Sequence, residues 1–342
     1  NDTESGRVTF GTFHSVFYRI LKLAYRFPAG CVLGEEEKRQ YFREFLENSE
    51  LEVEDEGEFI SAVINEISYV KGSQMDLSCY YSQNCPEEWF KRLYTGYEDM
   101  LRARGKLDFD DMLVMCYELF SQRKDILSAW QRKFRYILVD EFQDINQIQY
   151  EIVKMLALPE NNLFIVGDDD QSIYRFRGAN IKNILSFEEA FPGAKVIKLE
   201  QNYRSTKTIL SAANEVIRNN EGRKDKTLWT ENETGEKIRV KLFDTAYDEA
   251  EGIVSDIMKR GGSWKDSAIL YRTNAQSRIL EEKFVTHNIP YRMVGGVNFY
   301  QRKEIKDILA YLKTIANGRD DLAVQRIINV PKRGIGAVSI GK

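Results

Sequence analysis

The stretch YILVDEFQDINQIQY, residues 136–150, decides the fold. Four apolar residues with strand character run into two adjacent carboxylates, Asp140 and Glu141, and a helical pattern follows. In α/β proteins ligands sit outside the carboxyl edge of the sheet. Two acids delivered to such a strand tip suit a cation, so metal-assisted nucleotide chemistry is the first expectation.

Working outward, similar apolar runs recur with amphipathic stretches between them. RVTFGTF (7–13), YILVDEF (136–142), NLFIVGD (162–168), AKVIKLE (194–200), KIRVKLF (237–243) and SAILYRT (267–273) read as buried strands. Their spacing predicts βαβ units, with parallel sheets covered on both faces. Residues 26–105 differ: they are charged and helical in period. Trp89, Phe90, Leu93, Tyr94, Tyr97, Met100 and Leu101 share one helix face, a pattern expected of core packing. The expected fold class is therefore α/β, with an all-helical subdomain inserted into a parallel-sheet domain. A second α/β unit is expected to begin near Ala194, and a further helical segment near residue 320.

Composition sets bounds on this reading. The chain has 342 residues, 43% of them apolar, enough for two or three domains with real cores. Lys plus Arg number 49 and Asp plus Glu 53, a net charge of −4, so any nucleic-acid binding must come from local basic and aromatic clusters. Cys31, Cys79, Cys85 and Cys116 form no CxxC pair, which suits a reducing compartment better than a disulfide framework. With no membrane-length apolar run and no signal-peptide pattern, a soluble, cytoplasmic protein is expected.

The acids at 140 and 141 gain meaning from GDDDQSIYRFRGA, where a second strand ends in acids followed by Gln171. Adjacent tips of one parallel sheet would bring Asp140, Glu141 and Gln171 to one ligand. One carboxylate would hold Mg²⁺ through water, the next would take a proton from the attacking water, and the amide would sense a γ-phosphate. A lone Asp-Glu pair is more often solvated or caps a helix; the added glutamine argues against that here. In SIYRFRGAN, Tyr174 and Phe176 alternate with Arg175 and Arg177, the pattern that stacks bases and pairs phosphates of a single strand. In LEQNYRS (199–205), Tyr203 could stack on a purine and Arg204 could reach a γ-phosphate; alone, the stretch reads as a strand-to-helix turn with Ser205 as N-cap.

TFHSVFYRIL, LDFDDML, VDEFQD, VGDDDQSIYRFRGAN, LEQNYRST, LYRTNAQSR and RKEIKDILAYL occur in this order across essentially the whole chain. Together they resemble the successive signatures of the UvrD/PcrA/Rep group of superfamily-one DNA helicases. The resemblance implies two RecA-like motor domains of the P-loop NTPase fold. The first would span 1–25 and 106–193, around an inserted helical subdomain at 26–105. The second would begin at 194–319, and a second inserted helical subdomain would start at 320–342.

It further implies Asp140 as the Mg²⁺ ligand, Glu141 as the catalytic base and Gln171 as the coupling amide. Tyr203 would stack on the adenine of ATP, and Arg204 would be an arginine finger. Thr12, His14, Tyr174, Phe176, Arg272 and Asn274 would contact single-stranded DNA, with Phe176 standing where close relatives carry Trp. By itself His14 would read as a hydrogen-bonded histidine at a helix start, and Arg272 and Asn274 as a solvated strand end with a cap.

The implied partners are single-stranded DNA, single-strand/duplex junctions and repair or replication proteins, with 3′ to 5′ movement and no membrane. The family's phosphate-binding loop is expected ahead of TFHS and is not found in this sequence. The one formal match to its spacing, GAVSIGK at 336–342, follows no strand and reads as a decoy. The expectation is a helicase segment that does not hydrolyse ATP alone; the other expectation is a non-catalytic module that binds single strands or partners.

Overall fold

The computed structural model describes residues 8–49, 51, 53, 56–175, 178–294, 303–331 and 333–335. Residues 1–236 pack as one compact unit and residues 237–342 as another.

The first unit opens with α1 (Phe13–Tyr25), which starts at Thr12 because the threonine hydroxyl accepts from the Ser15 amide at 3.3 Å. The chain then leaves for three helices, α2 (Glu35–Glu47), α3 (Glu56–Ser73) and α4 (Glu87–Arg104). They enclose their own core, in which Phe42, Ile60, Val63, Ile67, Phe90, Leu93 and Tyr97 are buried. The aromatic face of α4 is thus core packing, as its period predicts: Tyr94 and Met100 lie against it, and Leu101 is buried. Val32 and Leu107 pair in a short parallel bridge where the chain enters and leaves this layer.

Helices α5 (Phe109–Gln122), α6 (Lys124–Lys133) and α7 (Gln147–Ala157) return to α1. Phe17, Ile20, Leu21, Leu113, Cys116, Phe120, Trp130, Ile148 and Ile152 form the core there. Strands β1 (Ile137–Val139) and β2 (Leu163–Ile165) are parallel, in register Ile137 to Leu163 and Val139 to Ile165, with α7 as the crossover. Under them lie Val139, Phe142, Ile145, Val153, Ile184 and Phe187, the last two from the short helices α8 (Lys182–Leu185) and α9 (Phe187–Ala190). Helix α10 (Lys207–Ile217) completes the unit.

Four of the six expected strands do not form among the described residues. An apolar run favours extended backbone, but a strand exists only where a neighbour shares its N–H and C=O groups. The runs beginning at 7, 194, 237 and 267 find no such ladder; just after the second, Gln201 makes one isolated bridge to Trp229. Many of their apolar side chains stay in solvent, with Leu242 96% and Leu270 95% exposed, while Phe13, Ala194 and Ile269 pack on neighbouring cores. Nor is the sheet covered on both faces as expected, because Leu138 and Phe164 are exposed.

In the second unit, α11 (Ala246–Arg260) packs on α12 (Ser277–Thr286) through Val254, Phe284 and Ile289. Helix α13 (Lys303–Ala316) packs on α14 (Asp321–Ile327) through Ala310, Ala323 and Ile327. Among the described residues no helix is long and apolar enough to cross a membrane.

Candidate active site

The tips of β1 and β2 are joined by one side chain. Gln143 is 1% exposed and uses both ends of its amide. Its Nε2 donates to Glu141 Oε2 at 2.8 Å, and its Oε1 accepts from the Asp168 backbone N–H at 3.0 Å. The loop after β2 can come this close because residue 167 is glycine. A Cβ there would lie 2.7 Å from Gln143 Oε1 and 2.9 Å from Ile184 Cδ1.

Glu141 stands in the left-handed region, at φ 49° and ψ 44°. A non-glycine residue held there costs about 1 kcal/mol or more, and such strain clusters at functional sites. Asp140 Oδ1 accepts from the Glu141 N–H at 3.0 Å, and both acids are exposed. Asp140 therefore has carboxylate capacity left for a hydrated cation, and its exposure leaves room for the water shell that Mg²⁺ retains. Behind them burial and the Glu141 charge raise the Asp144 carboxyl above its ordinary value.

After β2, Gln171 Nε2 donates to Asp168 Oδ2 at 2.8 Å. Glu141, Gln143, Asp168 and Gln171 thus form one hydrogen-bonded line across the two tips, and the two residues expected to act on a γ-phosphate are its ends. The oxygens of Asp168, Asp169 and Asp170 lie within 4.8 Å of one another, close enough to suggest a metal cluster. Here a lysine fills that role: Lys226 Nζ is 2.6 Å from Asp168 Oδ1 and 3.1 Å from Asp170 Oδ2, and it also bonds Asp169.

Tyr203 is 79% exposed and its hydroxyl donates to Gln201 Oε1 at 2.8 Å. The turn that carries it is set by Asn202, whose Oδ1 accepts from the amides of Arg204 at 2.9 Å and Ser205 at 2.8 Å. The expected N-cap at Ser205 is displaced by one residue: Thr206 occupies that position without a side-chain cap bond, and the Lys207 and Thr208 amides instead donate to the Glu233 and Thr234 carbonyls, each at 3.1 Å. No hydrogen bond or ion pair links Tyr203 or Arg204 to Glu141 among the described residues.

On another part of the unit His14 meets Phe109, ring centroids 5.5 Å apart at 81°. Phe109 is 45% exposed, so its ring and that of His14 form an aromatic pair near the start of α1. Burial lowers the His14 pKa, and Asp110 and Asp108 oppose that only in part. The Thr12 hydroxyl is already engaged as the helix cap. Tyr174 is partly exposed, whereas Phe176 lies outside the described residues. In the second unit the amides of Arg272 and Thr273 donate to Gln276 Oε1 at 2.9 and 3.0 Å, and Asn274 opens the short helix Asn274–Gln276. Neither the Asn274 side chain nor the GAVSIGK stretch falls within the described residues.

Sequence reasoning missed Gln143, Asp168, Phe109 and Lys226 as site residues. The first three lie inside quoted motifs, and their signal was a polar or aromatic residue beside a residue already singled out. Lys226 lies 58 residues from Asp168 and gave no local signal.

A parallel βαβ layer that brings a strained glutamate and a glutamine to adjacent strand tips, with a helical insertion, is consistent with a RecA-like helicase domain. The UvrD/REP helicase N-terminal domain matches residues 2–192 and the UvrD-like helicase C-terminal domain matches residues 197–342, so the chain belongs to the UvrD/REP helicase family. Among its relatives is the ATP-dependent DNA helicase PcrA of Staphylococcus aureus, 47% identical over 347 residues, which cover 98% of this chain and 47% of that protein. The PcrA of Staphylococcus epidermidis is likewise 47% identical, over 99% of this chain and 48% of its own length. The chain thus spans about half the length of the curated relatives it matches.

Proposed function

We propose that this chain is the central part of an ATP-dependent DNA helicase that moves along single-stranded DNA 3′ to 5′ and opens single-strand/duplex junctions. The observation that supports it best is the line Glu141–Gln143–Asp168–Gln171. Such a line lets the state of a γ-phosphate at Gln171 reach the group that activates water.

In this reading Glu141 accepts the proton of the attacking water, and Gln171 hydrogen-bonds the γ-phosphate. Asp140 holds Mg²⁺ through water; the ion supplies charge neutralisation at the phosphates. Tyr203 stacks on adenine, and Arg204 stabilises the charge that develops on the transferred phosphoryl group. Thr12, His14, Tyr174, Phe176, Arg272 and Asn274 hold the single strand. Phe109 joins them, since its exposed ring continues the face that His14 begins. The segment alone binds DNA without turning over ATP.

ATP hydrolysis by this chain, with and without single-stranded DNA and alongside Glu141→Gln, tests the reading. No Glu141-dependent turnover is expected from the chain itself. In a full-length helicase carrying this sequence, Glu141→Gln is expected to keep ATP binding and to slow turnover by about 10²-fold or more. Undiminished hydrolysis by that variant would refute the assignment of the base.

A further inference from the structure

The acidic loop after β2 is held by a basic loop that none of the roles above uses. Three consecutive aspartates repel one another, and two of them are screened from water only in part. Arg223 takes Asp170 in a bidentate pair, Nε to Oδ1 at 2.7 Å and Nη2 to Oδ2 at 2.6 Å. The Lys224 backbone N–H donates to Asp169 Oδ2 at 2.7 Å. Lys226 reaches all three carboxylates, at 2.5 Å from Asp169 Oδ1, 2.6 Å from Asp168 Oδ1 and 3.1 Å from Asp170 Oδ2.

Asp168 is therefore divided: one oxygen accepts from Lys226 and the other accepts from the Gln171 amide. The electrostatics agree with this placement. Burial alone would raise the Asp168 carboxyl, but the Lys226 ammonium and the Gln171 amide overcome it and hold the group below its ordinary value. Burial would lower Lys226, and the three carboxylates instead raise it.

The basic loop is in turn tied to the segment that carries Tyr203 and Arg204. Trp229 N–H donates to Glu200 O at 2.9 Å, and Asn202 N–H donates to Trp229 O at 2.7 Å. The stretch that presents the adenine and γ-phosphate contacts is thus bonded to the stretch that grips Asp168.

We propose that Lys226 is a positioning residue for Gln171, acting through the carboxylate of Asp168. It need not touch nucleotide. It fixes the acceptor that aims the glutamine amide, and it makes that aim depend on the segment holding Tyr203 and Arg204. The inference rests on the hydrolase reading for its consequence, though not for its geometry.

Two measurements test it, one on each level. In this chain, the Gln171 side-chain amide is observed by ¹⁵N-correlated spectroscopy and assigned by its loss in Gln171→Ala. Lys226→Met is expected to move that signal to the position of a free amide, Lys226→Arg to retain it, and Asp168→Ala to reproduce the loss should Lys226→Met fail to fold. An amide signal unchanged in Lys226→Met or Asp168→Ala overturns the proposal, whatever the activity.

In a full-length helicase carrying this sequence, Lys226→Met is expected to lower DNA-stimulated kcat about tenfold, with KM for ATP changed less than about threefold. In a Gln171→Ala background it is expected to add nothing, because both act through one group. Independent, multiplying losses would overturn the proposal. Absence of hydrolysis in the unsubstituted protein would instead count against the hydrolase reading and leave the amide measurement decisive.

Discussion

Glu141 shows how much chemistry one residue position holds. Its left-handed backbone turns the carboxylate off the end of β1, and Gln143 then grips one of its oxygens. That grip requires Gly167 to have no side chain. Gly167→Ala is expected to force Gln143 or the backbone at Phe142 aside, since the added Cβ would meet the Phe142 nitrogen at 3.2 Å as well. Overpacking of this kind costs about 1–3 kcal/mol, and urea unfolding would show it as a lower midpoint at constant m. A stability equal to wild type would mean that the tips of β1 and β2 can separate freely. At this scale much of the site was legible. Asp140, Glu141 and Gln171 were singled out because two acids and an amide fall at the ends of successive apolar runs, and the structure brings those ends side by side. Gln143 was not, because a glutamine two positions past the glutamate looks like any polar helix-start residue until its partner on the next strand is known.

Among the elements, α5 is the one whose start is most heavily engineered by charge. Asp108 caps it and forms a reciprocal capping box with Asp111, at 2.7 and 3.0 Å. The same Asp108 accepts from the Tyr97 hydroxyl at 2.9 Å and pairs with Lys38 and Lys71, both at 3.3 Å. Lys71 also meets Asp111 at 2.7 Å and Glu98 at 2.6 Å, while Ser68 donates to Asp110.

Four carboxylates thus face two buried lysines. Burial and the Asp108 charge push Asp111 up to about 6, whereas Lys71 and Lys38 overcome burial and hold Asp108 low. A carboxyl raised on folding contributes stability below its unfolded value near 3.8, and that contribution is lost as pH rises through about 6. Asp110 is raised as well. Asp108 has the opposite sign and weakens the fold as pH falls below the ordinary carboxylate range. His14, lowered by burial, also favours higher pH, from its ordinary value of 6.5 downward.

The difference between wild type and Asp111→Asn reads Asp111 together with Asp108 and Lys71, the charges it interacts with. Between pH 4 and 7 the variant is expected to gain relative to wild type by at most about 3 kcal/mol, read from unfolding midpoints at each pH. A difference flat across that window would show that Asp111 is not the group titrating there. The sequence did not reveal this charge pattern, because Lys38 and Lys71 come from helices of the insertion. The missing strands have a related cause. Apolar runs announce extended backbone, yet among the described residues only β1 and β2 have each other; the runs at 194, 237 and 267 lack a partner that could be read from their own residues.

For the molecule as a whole the net charge of −4 is decisive. Such a chain cannot gather DNA by its overall field, so under the proposed function affinity must divide between a few local cations and stacking on aromatic faces. The two parts respond differently to salt. Each phosphate neutralised on a single strand adds about 0.7 to the slope of log K against log salt, while stacking adds nothing to it.

Phe109→Ala is therefore expected to weaken binding of an oligothymidylate by about 1–3 kcal/mol at every salt concentration, with the slope unchanged. Arg175→Ala is expected to lower the slope by about 0.7. Fluorescence titrations of this chain over a range of salt concentrations separate them. A Phe109→Ala variant that changed the slope would place a cation, not a ring, at that contact. One that bound as tightly as wild type would confine the strand to the loop that carries Tyr174, and the pairing of Phe109 with His14 would then serve only to seat α5 against α1.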